Sequence, residues 1–518
     1  MFLRTCRDID TISNYMSDPV TLASLLLVRD RRSRGILSIP LSSLPKVIMD
    51  IAKSVQEDVV IYMKFSFGGN TYRFFIVRDT AIAILQEDIS GHVTGYGIEV
   101  LNNIANIISR SDTISIYIEE IPLKSITDQF IAEHVKKCIE SVEKIHLVMW
   151  RKRGVYWFSI EDLISDKGSY TYVFRARDIG GNIYALKIPK EDIAINRSFT
   201  DIVRGYINVF TIRSIDREEL RELLEIKGYS NVNLLELALY RDFLTHIYAV
   251  VILRDKLDRD TYISYPPIVV EEYMDMGDLE EYVKKRGALG LEESMYILIR
   301  ITGAIALAHL MNFIHMDIKP RNILMKRNGG RYGYTPKITD FSGTIGDPDH
   351  GYKFTRLTPA YADPIALMKG YSNLSYDVYS LAMVFGYMIS GTTPKHRLVL
   401  NIALLQNVYG YPIPMEKIGD DEVVLKEFAE EVTKLSAQLK MKSITMQEFV
   451  KAISRDVEAL DNMYMPWLND IPKTVADIMR KSISLNEEER YKSCIDMWLD
   501  LRHSIVREGM ENILPKTQ

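Results

Sequence analysis

The ten residues from His315 to Leu324 constrain this chain more than any other segment, because they place three different polar groups in one short loop. The carboxylate of Asp317 is followed two residues later by the ammonium of Lys319, and three residues after that by the carboxamide of Asn322. Eighteen residues beyond Asn322, an apolar stretch ends in a second carboxylate, that of Asp340. In-line phosphoryl transfer needs a base for the attacking hydroxyl, a cation for the transferred phosphate and oxygen ligands for a metal. We therefore expect the two carboxylates and the carboxamide to converge in the folded chain.

The composition is that of an ordinary globular protein, with 518 residues, 47% of them hydrophobic and 26% charged. A formal charge of −5 argues against a nucleic-acid partner, which would require a basic face. The longest apolar stretch, residues 301–314, is interrupted by polar residues, and the N-terminus lacks the layout of a signal peptide, so no membrane association is expected. Cys6, Cys138 and Cys494 have neither metal-ligand spacing nor an even count for pairing. We expect a reduced, cytoplasmic protein.

Residues 1–124 have the pattern of a small α/β domain without a catalytic constellation. Helical spacing occurs at residues 21–28, 44–54 and 98–108, and strand patterns occur at residues 35–40, 59–66, 72–77, 81–85 and 114–121. Gly68-Gly69-Asn70 is interpreted as a hairpin turn, because no helix opens after it as a phosphate loop would require. The domain is expected to be regulatory or to bind a partner or ligand, and residues 125–154 are expected to form a helical connector.

From about residue 155, strands are followed by helices, and several motifs occur in the order found in one family. The segments Ala185-Leu186-Lys187, 269–279, 315–324 and 337–342 resemble the conserved motifs of eukaryotic-type (Hanks-type) serine/threonine protein kinases, as found also in prokaryotes and archaea. The resemblance implies an α+β, bilobal kinase fold preceded by the α/β domain. A β-rich small lobe with its hinge would span residues 155–280, and a helical large lobe would span residues 281–512, with an insertion at about 395–470.

In the small lobe, the resemblance assigns nucleotide contacts to two strands and the turn before them. Gly168 occupies the middle position of the glycine-rich loop, whose two outer glycines are missing. Val173 and Ala176, and then Ala185 on the strand of Lys187, fit positions that cover the adenine. Lys187 would hold the α- and β-phosphates, because an ammonium on an apolar strand is costly without an anionic partner.

The partner of that lysine is predicted to be Glu236, an acid in a nearly apolar helix, which requires an insertion before the helix. Glu222 and Glu225 are the competing candidates.

The hinge resemblance assigns adenine binding to the backbone of Glu272 and Met274, and the ribose to Asp278. Glu271 falls on the gatekeeper position, which is normally apolar. A carboxylate there is expected to restrict bulky apolar ligands at the back of the pocket.

In the large lobe, the resemblance implies a role for each polar residue of the opening motif. Asp317 would be the catalytic base, and Lys319 would neutralise the γ-phosphoryl group. Asn322 and Asp340 would hold Mg²⁺, with Mn²⁺ as an alternative, while Leu324 would form the floor under the adenine.

Met316 stands where many kinases carry an arginine that receives a phosphorylated activation segment. Activity is therefore expected not to depend on such phosphorylation, although Thr344, Thr355 and Thr358 are possible acceptors. Thr358 together with Lys319 is typical of serine/threonine specificity.

Four further residues are predicted to act structurally. Ser342 replaces the glycine of the metal-binding motif and should hinder its reorientation. Asp363 replaces the usual glutamate of its motif and could pair with Arg490. Asp377 should anchor the catalytic loop through backbone N–H groups.

The leading hypothesis is ATP- and Mg²⁺-dependent phosphorylation of protein serine and threonine hydroxyls, including autophosphorylation. A pseudokinase or binding scaffold is the second reading, favoured by the missing glycines and by Ser342. A small-molecule kinase of the antibiotic-phosphotransferase type is the third, although such enzymes typically lack Lys319 and the Thr358-Pro359 segment.

Overall fold

The computed structural model describes residues 4–515 except 7–8, 29, 54–58, 78–79, 108–111, 141–145, 152–153, 166–170, 179–180, 190–197, 252–267, 342–345, 348–350, 353–356 and 411–422. The chain divides into two compact units. The first contains residues 1–190 and 251–270, and the second contains residues 191–250 and 271–518. This division differs from the predicted domains, because the strands after residue 154 group with the N-terminal region.

The N-terminal part of the first unit is a mixed sheet with helices packed against it. Among the described residues, its strands follow the order β1-β5-β4-β3-β7-β2, with β6 beside β5. In chain order the elements are β1 (Arg4–Thr5), α1 (Ile9–Met16), α2 (Pro19–Leu26), β2 (Arg32–Pro40), α3 (Leu44–Lys53), β3 (Val59–Phe67), β4 (Asn70–Val77), β5 (Thr80–Glu87), β6 (Val93–Tyr96), α4 (Ile98–Ile107), β7 (Thr113–Pro122) and α5 (Gln129–Glu140). Every helix and strand predicted in residues 1–124 is present.

Two local predictions in this region have different outcomes. The Gly68-Gly69 turn joins β3 to β4 with φ values of 60° and 82°, the left-handed conformation that glycine adopts without strain, so the hairpin is confirmed. The cysteine prediction is wrong for Cys6, which is disulfide-bonded. An odd total does not prevent two cysteines from pairing when the fold brings them together. Cys494 is a free, buried thiol.

The helix predicted as a connector belongs to the core of the N-terminal sheet. Ile131 and Val135 of α5 are each 1% exposed and lie in the same apolar cluster as the strands. An amphipathic helix is stabilised when its apolar face packs against the apolar face of a neighbouring sheet. Residues 129–140 therefore complete this fold.

In a second sheet of the first unit, strands that follow one another in the chain pair antiparallel. Its strands are β8 (His146–Arg151), β9 (Gly154–Ser165), β10 (Thr171–Arg177) and β11 (Ile183–Pro189). The β9–β10 ladder has two register shifts, whereas the β10–β11 ladder is regular.

The second unit is mainly helical, and its first part contains helices and two short strands. They are α6 (Ser198–Ser214), α7 (Arg217–Ile226), α8 (Leu234–Ala238), a 3₁₀ turn (Leu239–Phe243), β12 (Ile247–Val251) and β13 (Ile268–Glu272), whose last two residues belong to this unit. Helix α7 begins with a capping box between Asp216 and Glu219.

The rest of the second unit is built around two buried helices, α10 and α12. The elements are α9 (Leu279–Arg286), α10 (Leu291–Leu310), β14 (Ile323–Arg327), β15 (Tyr334–Ile338), β16 (Gly346–Asp347), β17 (Gly351–Tyr352), α11 (Pro364–Lys369), α12 (Ser375–Ser390), α13 (Lys395–Tyr409), α14 (Val423–Lys440), α15 (Met446–Tyr464), α16 (Trp467–Asp470), α17 (Lys473–Ser482) and α18 (Cys494–Arg507). Helix α10 is long and apolar enough to span a membrane, but its side chains are buried within the protein, as in a central core helix.

A glycine lets the 3₁₀ turn approach α10. A Cβ atom on Gly303 would lie 2.1 Å from the ring of Tyr240, which is fully buried. The absence of a side chain at Gly303 therefore fixes the position of residues 239–243, which precede β12.

The predicted insertion at about 395–470 forms α13, α14 and α15. Their apolar faces share one cluster with Ile365 and Leu485, residues outside the insertion. The insertion therefore packs directly against α11 and against the loop between α17 and α18.

Candidate active site

Asp317 and three polar residues around it form one hydrogen-bonded cluster. Lys319 Nζ lies 2.6 Å from Asp317 Oδ2, and Asn322 Nδ2 donates to the Asp317 carbonyl oxygen over 2.8 Å. Thr358 Oγ1 donates to Asp317 Oδ1 over 2.8 Å, and Lys319 Nζ donates to Thr358 Oγ1 over 3.1 Å. The structure thus brings together the predicted base, the predicted phosphate-binding ammonium and the threonine of the later motif.

The orientation of Asn322 suits a metal ligand. Its amide nitrogen faces Asp317, so its amide oxygen is the atom directed elsewhere. Its backbone oxygen accepts from Thr339 N over 2.9 Å, which brings the segment of Asp340 next to it. Carboxylate and amide oxygens are the donors that hard divalent cations prefer. The donor set of Asn322 and Asp340 therefore fits the predicted role.

A buried aspartate anchors the loop that begins at His315. Asp377 is fully buried, and its two carboxylate oxygens accept from His315 N over 2.7 Å and from Met316 N over 2.9 Å. Met316 has a φ of 63°, a conformation that costs a non-glycine residue energy and persists only when its surroundings fix it. The predicted anchoring role of Asp377 is confirmed.

The sequence reading missed His309, which supports Asp377 from α10. Cys494 N donates to His309 Nδ1 over 3.0 Å, so the proton lies on Nε2, which donates to Asp377 Oδ2 over 3.0 Å. A lone histidine in a mostly apolar helix carries no motif, and both of its partners are distant in sequence. Only the tertiary fold could reveal it.

Met316 packs among apolar side chains from the segment that carries Thr358. It is 1% exposed, and its cluster includes Ala362 and Ala366, with Leu357 packed against it. Apolar contacts therefore fix this segment where an arginine in other kinases would bind a phosphate. Ser342, Thr344 and Thr355 lie outside the described residues.

The predicted ion pair between Asp363 and Arg490 is confirmed. Arg490 Nη1 and Nη2 lie 2.6 and 3.1 Å from the two carboxylate oxygens of Asp363, and the side chains are 0% and 1% exposed. Asp363 also caps α11 by accepting from Ile365 N over 3.0 Å. The aspartate thus performs the pairing that the longer glutamate of the motif would otherwise perform.

The predicted hinge residues begin at Glu272, the last residue of β13, and end at Asp278, the N-cap of α9. Glu272 N donates to His246 O over 2.8 Å, so this N–H is not available to adenine. Met274 is 8% exposed. Asp278 forms a β-bridge with Leu324 and caps α9 by accepting from Glu281 N over 2.8 Å. Burial raises the pKa of Asp278.

The predicted small-lobe residues lie in the first unit. Lys187 in β11 is 8% exposed and pairs with Val173 across the ladder, and Ala185 lies on the same face two residues earlier. The prediction for Ala176 is wrong, because it lies three positions after Val173 and strand side chains alternate, so it points to the opposite face of β10. Gly168 lies outside the described residues.

For Glu236 the structure shows a different partner from the predicted one. Its carboxylate accepts from Arg502 Nε of α18 over 2.6 Å, and α8, which carries it, has only five residues. The expectation that an acid in this apolar stretch needs a cation was right, but an arginine of the same unit supplies the charge.

Comparison with known families agrees with this geometry. The family model described as the protein kinase domain matches residues 225–497, more than half of the chain. This chain is a member of the protein kinase family.

Its relatives within the family are distant. A probable serine/threonine-protein kinase of Clostridium perfringens is 26% identical over 236 residues, 44% of this chain and 28% of the relative. NUAK family SNF1-like kinase 2 of Homo sapiens is 26% identical over 233 residues, 44% of this chain and 30% of the relative. Serine/threonine protein kinase OSK3 of Oryza sativa subsp. japonica is 25% identical over 186 residues, 35% of this chain and 34% of the relative. The chain thus spans about a third or less of these relatives.

The match to the kinase family begins at residue 225, so it does not reach the first half of the predicted small lobe. Gly168, Val173, Ala185 and Lys187 precede it, and their nucleotide contacts remain predictions. Protein kinase domains in general use ATP with a divalent metal.

Proposed function

We propose that this chain is a serine/threonine protein kinase that transfers the γ-phosphoryl group of ATP to hydroxyls of proteins, including its own. The observation that carries the proposal is the contact of Lys319 and Thr358 with each other and with Asp317. This cluster also favours protein phosphorylation over small-molecule phosphorylation, because it includes the segment expected to receive a polypeptide substrate.

Asp317 is proposed to act as the base that orients the substrate hydroxyl. Its Oδ1 accepts a hydroxyl hydrogen bond from Thr358 over 2.8 Å, and a substrate hydroxyl needs an acceptor within this same range. Lys319 lies 2.6 Å from Oδ2 and carries the charge that the transferred phosphate requires. Since phosphoryl transfer depends mainly on positioning and electrostatic stabilisation, the fixed geometry of this loop is the chief contribution of the chain.

ATP with Mg²⁺ is the proposed cofactor pair, and Mn²⁺ could replace Mg²⁺. Asn322 through its amide oxygen and Asp340 through its carboxylate would hold the metal, which when bound neutralises charge on the phosphates. Lys187 is proposed to contact the α- and β-phosphates, and the backbone of Glu272 and Met274 to contact adenine. The N–H of Glu272 donates to His246 O and is not available for this contact.

The remaining proposals concern location and partners. A cytoplasmic location without a membrane or nucleic-acid partner is proposed from the composition, since a net charge of −5 repels nucleic acid, whereas the disulfide of Cys6 is unusual for that compartment and weighs against it. The α/β domain of residues 1–124 is proposed to bind a partner or ligand that regulates the kinase.

The proposed activity is tested by incubating the full chain with ATP labelled in the γ-phosphate, Mg²⁺ and casein. We expect labelled casein and labelled chain with the wild type, and loss of both with Asp317→Asn. Asp470→Asn, which makes the same chemical change at an exposed position, is the matched control and should behave as wild type. Binding of nucleotide without any transfer would favour a pseudokinase, and labelling of small molecules but not casein would contradict protein specificity.

A further inference from the structure

Glu271 is a buried carboxylate that accepts hydrogen bonds from two threonine hydroxyls in the second unit. It is 2% exposed, and its Oε1 accepts from Thr245 Oγ1 over 2.6 Å and from Thr339 Oγ1 over 3.0 Å. The two threonines are 1% and 5% exposed. Because a buried carboxylate is costly without donors, these contacts fix both threonine side chains relative to β13.

The contact with Thr339 matters because the next residue is Asp340. Among the described residues, Thr339 makes at least three hydrogen bonds: its N–H donates to Asn322 O over 2.9 Å, its carbonyl accepts from His315 Nε2 over 2.9 Å, and its hydroxyl donates to Glu271. Asp340 has a φ of 65°, the left-handed region that non-glycine residues rarely adopt. Such a conformation persists where the surrounding structure over-determines it.

We propose that Glu271 is a positioning residue for the metal site, acting through Thr339 to keep Asp340 in its left-handed conformation. The proposal rests on the proposed function in one respect, because it uses the metal-binding role of Asp340. The gatekeeper Glu271 would then do more than restrict the ligands that enter the pocket. Its hydrogen bond to Thr339 connects β13 to the residue that precedes the metal ligand Asp340.

The two threonines provide a matched pair for the test. Each is buried and donates to the same oxygen of Glu271, but only Thr339 adjoins Asp340. Replacing either by valine removes one hydroxyl at nearly constant shape. A purely structural role of Glu271 would therefore make the two variants equivalent, whereas a positioning role makes Thr339→Val the more harmful for metal binding.

Substitutions of Glu271 itself separate hydrogen bonding from charge. Since both hydroxyls donate to one oxygen, Glu271→Gln keeps an acceptor for both through its amide oxygen and should weaken metal binding less than Glu271→Leu does. Glu271→Leu removes the acceptor and should weaken metal binding. Thr339→Ser, which retains the hydroxyl, should behave as wild type.

The experiment measures binding of a fluorescent ATP analogue to the full chain as Mg²⁺ is titrated, together with the melting temperature of each variant. We expect Thr339→Val and Glu271→Leu to raise the Mg²⁺ concentration at half-maximal effect about tenfold, because a hydrogen bond to a charged group is lost. Thr245→Val should change it less than about twofold, within the usual spread of indirect effects, while lowering the melting temperature as much as Thr339→Val does.

Failure of this inference differs from failure of the proposed function. If Mg²⁺ affects nucleotide binding by the wild type, but the two valine variants shift its concentration equally, the positioning role is overturned and the proposed function stands. If Mg²⁺ has no effect on the wild type, the proposed metal site is overturned and the positioning role with it.

Discussion

The ion pair of Asp363 and Arg490 allows a prediction whose size follows from its burial. Both charged groups are excluded from solvent, with side-chain exposures of 1% and 0%, and two charge-assisted hydrogen bonds join them. Arg490→Met leaves the Asp363 carboxylate buried without its cation. Removing one partner of a buried pair costs about 3–5 kcal/mol, a large part of the roughly 5–15 kcal/mol that stabilises a typical domain.

A second substitution isolates the uncompensated charge. Asp363→Asn keeps an oxygen that can cap α11 at Ile365 N, so it removes the charge and retains the cap. The double variant with Arg490→Met then buries no unpaired ion. We expect it to be more stable than Arg490→Met alone, even though it carries one more change.

The assay must be local, because a chain of two units need not unfold in one step. Amide hydrogen exchange of residues 364–369 reports opening of α11, and the melting temperature reports the unit as a whole. We expect exchange of α11 to accelerate by at least a hundredfold in Arg490→Met, since about 3 kcal/mol corresponds to slightly more than two powers of ten. An acceleration below tenfold, or a double variant less stable than Arg490→Met, would refute the reasoning.

Three further predictions concern acid stability, a disulfide and regulation. Burial raises the pKa of Asp461, but Arg397 and its neighbours outweigh this and lower it to about 2. The ionised Asp461 therefore stabilises the folded state fully above pH ~4, and this stabilisation is lost as the pH falls towards 2. Between pH 6 and pH 2, the unfolding free energy of Asp461→Asn should fall by about 2 kcal/mol less than that of the wild type. Denaturation at pH 2–6 measures this difference. In denaturant, Cys6 should resist alkylation until a reductant is added, whereas Cys494 should react without reductant. Mass spectrometry of the peptides measures both reactions. Alkylation of Cys6 without reductant would contradict the disulfide. Since Met316 packs among apolar residues, phosphatase treatment should leave kinase activity within about twofold, the range of ordinary indirect effects, and a loss of tenfold or more would contradict this.

The spacing of residues along the chain predicted local contacts, and the resemblance to kinases also predicted two distant ones, the Asp363–Arg490 pair and the anchoring of His315 by Asp377. Asp317, Lys319 and Asn322 belong to one loop, so their spacing alone brings them into contact. The central N-terminal strands were found because they are short runs rich in β-branched and aromatic residues, bounded by turn residues. The turn at Gly68-Gly69 was found because its residues are those of a tight hairpin.

The errors concern contacts that only the tertiary fold determines. Glu236 and Arg502 are 266 residues apart, and nothing in either segment marks the other as its partner. His309 contacts Asp377 and Cys494 across separations of 68 and 185 residues. The prediction for Ala176 failed for a local reason: residues three positions apart in a strand lie on opposite faces, so Ala176 and Val173 cannot both face the nucleotide.

Phosphoamino-acid analysis of a protein substrate tests the central claim most directly, that Asp317, Lys319 and Thr358 form a centre for phosphoryl transfer to serine and threonine. After reaction with labelled ATP, the full chain should yield phosphoserine or phosphothreonine and no phosphotyrosine. Asp317→Asn should lower the rate by about a hundredfold or more, the usual contribution of a positioned base. Unchanged transfer by Asp317→Asn, or label on tyrosine alone, would contradict the account.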